Sequence, residues 1–475
     1  MKLRLQILVM LGLITGALNA RAAAWLTNAL LPDGQVTIGW TSRGALETAN
    51  HLVGPWTAVT NVSNPFTTSV TTNLQFFRLN QMVDTTTLHK KVLCGYQGWF
   101  RAGSEWDHWS RNWAVPPQTN VLTNITFEMW PDMTEYSNQY AVPGFTYPDG
   151  APAYLYNAPD QQTIDTHFNW MQDYGIDGVV LQRFVVSLGL PAMNDVLANA
   201  RAAANRTGRA LAMEYDMSGA DNATLFNLLT NDWTWLVNTQ RLTQDPRYLH
   251  QNGKPVLLLF GFFPNRFTND APALPGRIVS WFETNPVQPV TLIGSGEWWW
   301  RSETAAGWSN LFRSLDGYLP WNTGNYFTTV SRGVTNYDAI TNFWAADLAD
   351  ATSHGLLYLP DIYPGFSWHN LMADSSDLPF NQIPRQGGNF MWHQFSTVKG
   401  LGLDSAFVGM FDEVDEGTAI YKVSPTPPSQ PAFLTYHADG ATLPNDWYLR
   451  LTAEGSKLLS GEITNTLTIP ISPNN

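Results

Sequence analysis

The sequence predicts an α/β fold, a (β/α)8 TIM barrel preceded by a small all-β module. Three observations carry that expectation. Eight short apolar runs recur between residues 92 and 412, most of them continuously apolar, as strands buried on both faces should be. Helical periodicity lies between several of the runs. Polar and aromatic residues gather where the runs finish, the face on which a barrel keeps its chemistry.

Taken in order, the chain opens on Lys2 and Arg4, an apolar run from Leu5 to Leu18, and small residues at Ala20, Ala22, Ala23 and Ala24. That pattern is expected to be a signal peptide over residues 1–22, which puts the mature protein outside the cytoplasm, secreted or periplasmic. No later stretch is long and apolar enough to cross a membrane, so no membrane association is expected after cleavage. Residues 25–80 hold short β-branched or aromatic runs, Val36–Trp40, Trp56–Val59 and Gln75–Leu79, separated by Gly54-Pro55 and Asn64-Pro65. They predict about five strands of a small sandwich-like module.

The barrel is expected over residues 88–460. Its strands are Val92–Gln97, Gly178–Arg183, Ala210–Asp216, Pro255–Phe260, Val290–Gly294, Gly317–Pro320, Gly355–Pro360 and Ala406–Asp412. Helices are expected at Thr163–Tyr174, with Ile164, Phe168 and Met171 at helical spacing, and at Ala192–Asn205, rich in alanine. A ninth run, Ile125–Trp130, is expected to be an insertion strand in the first strand-to-helix connection.

Composition narrows the partners. The formal charge is −13, with 26 Lys and Arg against 39 Asp and Glu, which disfavours a nucleic-acid phosphate backbone. The 21 Trp, 17 Tyr and 24 Phe exceed ordinary core needs, and aromatic faces suit the apolar C–H patches of sugar rings. Most of these rings pack the core all the same. The single cysteine, Cys94, lies in an apolar run and is expected to be a buried, inert thiol. No P-loop, dinucleotide-binding glycine pattern, His-Glu-x-x-His site or Gly-x-Ser-x-Gly elbow occurs. No cofactor, no metal and a monomer are therefore expected, with a carbohydrate as partner.

The strand ends supply the candidate site: Tyr96, Gln97 and Trp99; Gln182 and Arg183; Glu214 and Asp216; Trp321; Tyr363; and Asp412 with Glu413. His108, just past the first strand, and Trp368, in the lip Pro364–His369, are further sugar-binding candidates. Trp298-Trp299-Trp300 cannot all face one core, so at least one ring is expected at a surface or ligand. Most concentrated is Phe411-Asp412-Glu413-Val414-Asp415-Glu416-Gly417-Thr418. It puts four carboxyls directly after a buried strand, where mutual repulsion separates pKa values and lets one acid serve as proton donor while another accepts. A Ca2+ loop and a solvated acidic turn are the competing interpretations.

Phe411–Ile420 resembles the C-terminal catalytic motif of glycoside hydrolase family 99, the endo-α-mannosidase and endo-α-mannanase family, in which it runs Phe-Asn-Glu-Trp-His-Glu-Gly-Thr-Gln-Ile. The likeness extends over most of residues 88–460. It includes the helix and strand from His167 to Arg183, the strand end Glu214-Tyr215, and Pro364-Gly365-Phe366 with Pro384-Arg385. Family 71 belongs to the same broad group, so the chain is identified as family 71/99-like. The resemblance implies that Glu416 is the general acid and then base, and that Glu413 assists attack through the sugar 2-hydroxyl. A 1,2-anhydro sugar and net retention would follow. Asp412 for Asn, Val414 for Trp and Asp415 for His depart from the pattern, so Asp412 and Asp415 are substrate-binding candidates while mannose specificity does not carry over. The N-terminal runs resemble fibronectin-III-like appendages of exported enzymes. Two alternatives stay open: a non-catalytic carbohydrate-binding protein on a degenerate barrel, and a covalent route with Glu214 as nucleophile.

Overall fold

The structure is a computed structural model describing residues 26–474, apart from 41–43, 61, 70–74, 119–123, 268–271, 326–342 and 374–377. The expected signal peptide lies outside the described residues.

The N-terminal part forms β1 (Leu26–Leu30), β2 (Gln35–Trp40), β3 (Ala45–Ala49), β4 (Thr57–Ala58), β5 (Phe66–Ser69) and β6 (Phe76–Asn80). They make two antiparallel three-stranded sheets, ordered β1-β2-β5 and β4-β3-β6. Alternation in β2 buries Val36 and Ile38, which with Leu46 form a small core edged by Trp40, Phe66 and Phe77. This core is separate from that of the barrel.

The rest is a strand-helix alternation: β7 (Val92–Tyr96), β8 (Tyr140–Thr146), β9 (Pro152–Leu155), α1 (Gln161–Asp173), β10 (Gly178–Phe184), α2 (Pro191–Thr207), β11 (Ala210–Asp216), α3 (Asn222–Asn238), β12 (His250–Gln251), β13 (Lys254–Phe262), α4 (Ala273–Thr284), β14 (Thr291–Gly296), α5 (Trp308–Phe312), β15 (Gly317–Pro320), α6 (Trp344–Ser353), β16 (Leu357–Tyr358), β17 (Asp361–Ile362), α7 (Asn389–Gly400), β18 (Ala406–Val408) and α8 (Trp447–Ser460). The main sheet runs β16-β15-β14-β13-β11-β10-β7-β18-β17, and all these pairings are parallel. Its two ends, β16 and β17, are one strand interrupted at Leu359-Pro360. The Leu359 N–H donates to Tyr318 O on one side, and the Phe407 N–H donates to Pro360 O on the other. The sheet therefore closes into a barrel of eight strands, the number expected.

Strand parity sorts the side chains into two layers. Leu93, Val180, Ala212, Leu258, Ile293, Leu319, Leu359 and Phe407 fill the barrel interior. Val92, Cys94, Tyr96, Val179, Leu181, Leu211 and Met213 point the other way, into the shell beneath the helices. The interior is tight: a Cβ on Gly95 would overlap the Met410 sulfur and approach Phe407 Cζ to 2.7 Å. Cys94 is buried and free, with burial holding its thiol far above the ordinary range.

Ile125–Trp130 is not a strand. Ile125 makes one isolated bridge to Ser110, and the rest of the run is buried irregular backbone, with Glu128 N–H donating to Val414 O at 2.7 Å. Its hydrophobicity reflects burial beneath the loop after β18 rather than sheet pairing. The antiparallel pair in this connection is β8–β9 instead, in which buried and exposed residues are mixed and leave no continuous apolar run. Residues 81–87 cross the N-terminal end of the barrel, opposite the strand ends that carry the carboxyls: Val83 N–H donates to Gly208 O and His250 N–H to Thr85 O.

Candidate active site

Two clefts open on the C-terminal face. The first, of about 560 Å³, is lined among others by Gln97, Trp99, His108, Gln182, Asp216, Trp321, Glu413 and Glu416. The second, of about 200 Å³, is lined by Glu297, Trp298, Trp299, Trp321, Asn325, Phe366, Trp368 and Glu416 among others. Trp321 and Glu416 belong to both.

The acidic loop is held from several directions. Thr418 and Ala419 N–H donate to Glu413 O, Ser367 N–H donates to Glu416 O at 2.9 Å, and the Arg385 Nη2 donates to Gly417 O and Ala419 O. Gly417 has φ +62° and passes close to Ser367 and Leu434, a turn that L side chains resist. Glu413 is 1% exposed; its Oε1 accepts the Asp415 N–H at 2.7 Å, and its Oε2 has no partner within the protein. Burial, then the charges of Asp415, Glu416 and Asp412, push its pKa well above the carboxylate range. Glu416 accepts from Trp368 Nε1 at 3.3 Å, and burial raises it to about 7. Asp415 is likewise raised, by burial first and Glu416 second, and meets His108 Nδ1 at 2.9 Å. His108 itself is lowered to about 4 by burial, so its ring is neutral at pH 7. That ring stacks on Trp99 with centroids 3.6 Å apart, and Trp99 stacks in turn on Phe184 at 4.7 Å, which makes a rigid aromatic wall.

The sequence-predicted residues divide by strand parity. Gln182 and Glu214 turn inward and touch each other at 3.4 Å. Glu214 is wholly buried, its carboxyl held well above the usual range by burial and then by Asp216 and Asp361. Asp216 lines the first cleft and accepts the Ser218 N–H. Asp412 does not line either cleft: it is fully buried and accepts the Gln97 and Gly98 N–H groups at 2.8 and 2.9 Å, with its pKa raised to about 6 by burial. It positions the loop after β7.

Further expectations are revised. Tyr96 points outward, and its hydroxyl meets His167 Nδ1 on α1 at 2.8 Å under the helices. Arg183 is also an outward position; its guanidinium pairs with Asp232 of α3 and Asn194 of α2, yet it lines the helix side of the first cleft and its Nη1 has no partner within the protein. Tyr363 is buried beside Phe390, and its hydroxyl donates to Asn325 O. For Tyr96 and Arg183 a strand buried on both faces hides which parity faces the mouth, whereas Tyr363 lies just past the end of β17.

Asp107, Trp113 and Glu297 line the clefts in addition to the candidates expected from the sequence. Asp107 binds the Arg101 guanidinium at the cleft, and Trp113 stands at the rim, 50% exposed. Glu297 follows β14, which runs two residues beyond its expected end at Gly294; an unbroken small-residue run Gly294-Ser295-Gly296 was the available signal. Of the tryptophan triplet, Trp300 is fully buried while Trp299 is 40% exposed in the second cleft. Among the described residues no group of three or more His, Cys, Asp or Glu side chains is arranged to hold a metal ion, and no helix is long and apolar enough to cross a membrane.

No protein-family model matches the chain, and no curated protein does. Solved structures do. The GH99 endo-alpha-mannosidase from Bacteroides thetaiotaomicron superposes with a TM-score of 0.56 at 15% identity, covering 79% of this chain and 100% of that one. The same enzyme in complex with bis-tris-propane gives 0.53 at 15% identity, covering 79% and 99%. Over that 79% of its length the chain therefore shares the (β/α)8 fold of this GH99 endo-alpha-mannosidase.

Proposed function

We propose that this protein is a secreted glycoside hydrolase that cleaves a polysaccharide or oligosaccharide with retention, using Glu416 as acid/base and Glu413 to assist attack. The observation that carries this is the presence of both carboxyls on the wall of one cleft, backed by a stacked aromatic wall. The neighbouring fold is that of an endo-alpha-mannosidase, which supports the same class of reaction. The export signal read from residues 1–22 supports secretion.

In the proposed reaction Glu416 gives its proton to the departing glycosidic oxygen. Its carboxyl, raised to about 7, is poised between its two protonation states at neutral pH, which suits a group that is acid in one step and base in the next. Glu413 takes the proton of the sugar 2-hydroxyl, whose oxygen closes on the anomeric carbon as the leaving group departs. Water, deprotonated by Glu416, then attacks the anomeric carbon and breaks its bond to O2, which takes back the proton held by Glu413, and two inversions give retention. The protons of the acidic loop belong to the cluster rather than to single side chains. The reactive state is the one with the charge on Glu413, whose Oε1 already accepts the Asp415 N–H.

The test compares the mature wild type with Glu416→Gln on a panel of polysaccharides and aryl glycosides, α-mannans included. We expect sugar release by the wild type and a fall in kcat of about 10³-fold in the variant, within the range for losing general acid–base catalysis. Equal activity would move the search to Glu214 and Asp216. Binding without release by either protein would favour a carbohydrate-binding protein on a degenerate barrel.

A further inference from the structure

The second cleft holds a carboxyl that the proposed reaction does not use. Glu297 is 5% exposed, lines this cleft, and has an Oε2 without a partner in the protein. Glu303 is the neighbouring acid, and its carboxyl is held below the ordinary glutamate value while that of Glu297 is held above it. Burial, then Glu303, raises Glu297 to about 8. A neutral carboxyl offers both an O–H and a carbonyl oxygen, a pairing that matches a sugar hydroxyl. Around it stand Trp298, Trp299, Trp321 and Trp368, with Trp298 edge-on to Trp299 at 5.3 Å. Trp321 and Glu416 are common to this cleft and the first.

We infer that the second cleft is a binding subsite for an uncharged sugar residue of the same substrate, on the far side of Glu416 from the first cleft, with Glu297 selecting it through its hydroxyls. This rests on the carbohydrate reading proposed above and adds the substrate class. The aromatic faces cover the apolar side of a pyranose, and the acid pair with Glu416 repels a uronate or sulfated sugar. Glu297 is here a specificity-determining residue, separate from the proton transfers at Glu413 and Glu416.

The experiment uses the full mature chain carrying Glu416→Gln, which suppresses turnover, and titrates it calorimetrically with mannotetraose, cellotetraose and tetragalacturonate. At least one neutral tetrasaccharide should bind, and tetragalacturonate should bind at least tenfold more weakly. Adding Glu297→Gln should weaken the neutral ligand about tenfold, the worth of one well-placed hydrogen bond. Trp299→Ala, at a 40% exposed ring whose loss does not open the core, should weaken it as well, which keeps the test valid if Glu297→Gln fails to fold. The inference is overturned if both variants bind the neutral ligand as tightly as the parent, if tetragalacturonate binds equally well, or if no neutral tetrasaccharide binds. Sugar release by wild-type protein alongside any of these results would leave the hydrolase standing while removing the subsite.

Discussion

Glu413 sits where a carboxylate is least comfortable, and stability is where that discomfort can be measured. Its pKa is raised by burial and by Asp415, Glu416 and Asp412. In the unfolded chain it titrates near the ordinary glutamate value of about 4.3. Below that pH both states hold the proton and Glu413 imposes no penalty. As pH rises the unfolded chain releases its proton first, so the folded state progressively loses stability until Glu413 ionises too. Glu413→Gln removes the titration while keeping shape. Relative to wild type, the variant should therefore gain stability between pH 4.5 and pH 8. Denaturant melts of both proteins at the two pH values check this; a difference that stays constant or reverses sign would sink it. The same variant is expected to lose activity, the usual exchange at a strained site.

One guanidinium holds the loop that presents Glu416. Arg385 donates through Nη2 to Gly417 O and Ala419 O and lies over the Tyr448 ring at 4.4 Å and the Tyr436 ring at 5.1 Å. Lysine carries the charge but not the planar fork that reaches two carbonyls while stacking. Arg385→Lys should cost about 2 kcal/mol, in the range for losing charged hydrogen bonds at a buried carbonyl pair. It should also lower kcat more than it raises KM, because Glu416 is displaced while the stacked wall of Trp99, His108 and Phe184 stays in place. Steady-state kinetics on whichever substrate the wild type cleaves, with a thermal melt, separate the two effects. A KM-only change would assign Arg385 to substrate binding. Glu128 does similar work from the other side, accepting from Ser367 Oγ at 2.8 Å and the Asn370 and Leu371 N–H groups, and so fixes the Trp368 lip.

At the scale of the molecule, the β module and the cleft lie at opposite ends of the barrel. The module has its own small core, and residues 81–87 fasten it to the N-terminal end of the strands, as in the Arg247 Nη2 bond to Val83 O at 2.7 Å. Deleting residues 26–80 while keeping 81–475 should leave kcat/KM on a short oligosaccharide within about twofold, since catalytic residues of a barrel act from its C-terminal face. A large loss measured in kcat would mean that the module supports the cleft. The sequence alone determined the strand-helix alternation and the strand count, because continuous apolar runs between helical segments leave few other ways to bury both faces. It also singled out the acidic run that holds Glu413 and Glu416, two residues that line the first cleft, because four carboxyls directly after a buried strand are costly to place. Tertiary structure alone decided which neighbours face the cleft. In β7 and β10 both faces are apolar, so nothing in the order of residues says that Tyr96 and Arg183 turn outward while Gln182 turns in. Tertiary structure also brought Glu297 and the tryptophans after it beside Glu416, from residues 119 positions and less away in sequence. Closing the barrel is what made them neighbours, because parity and closure depend on how eight strands register with one another and no single strand contains that information.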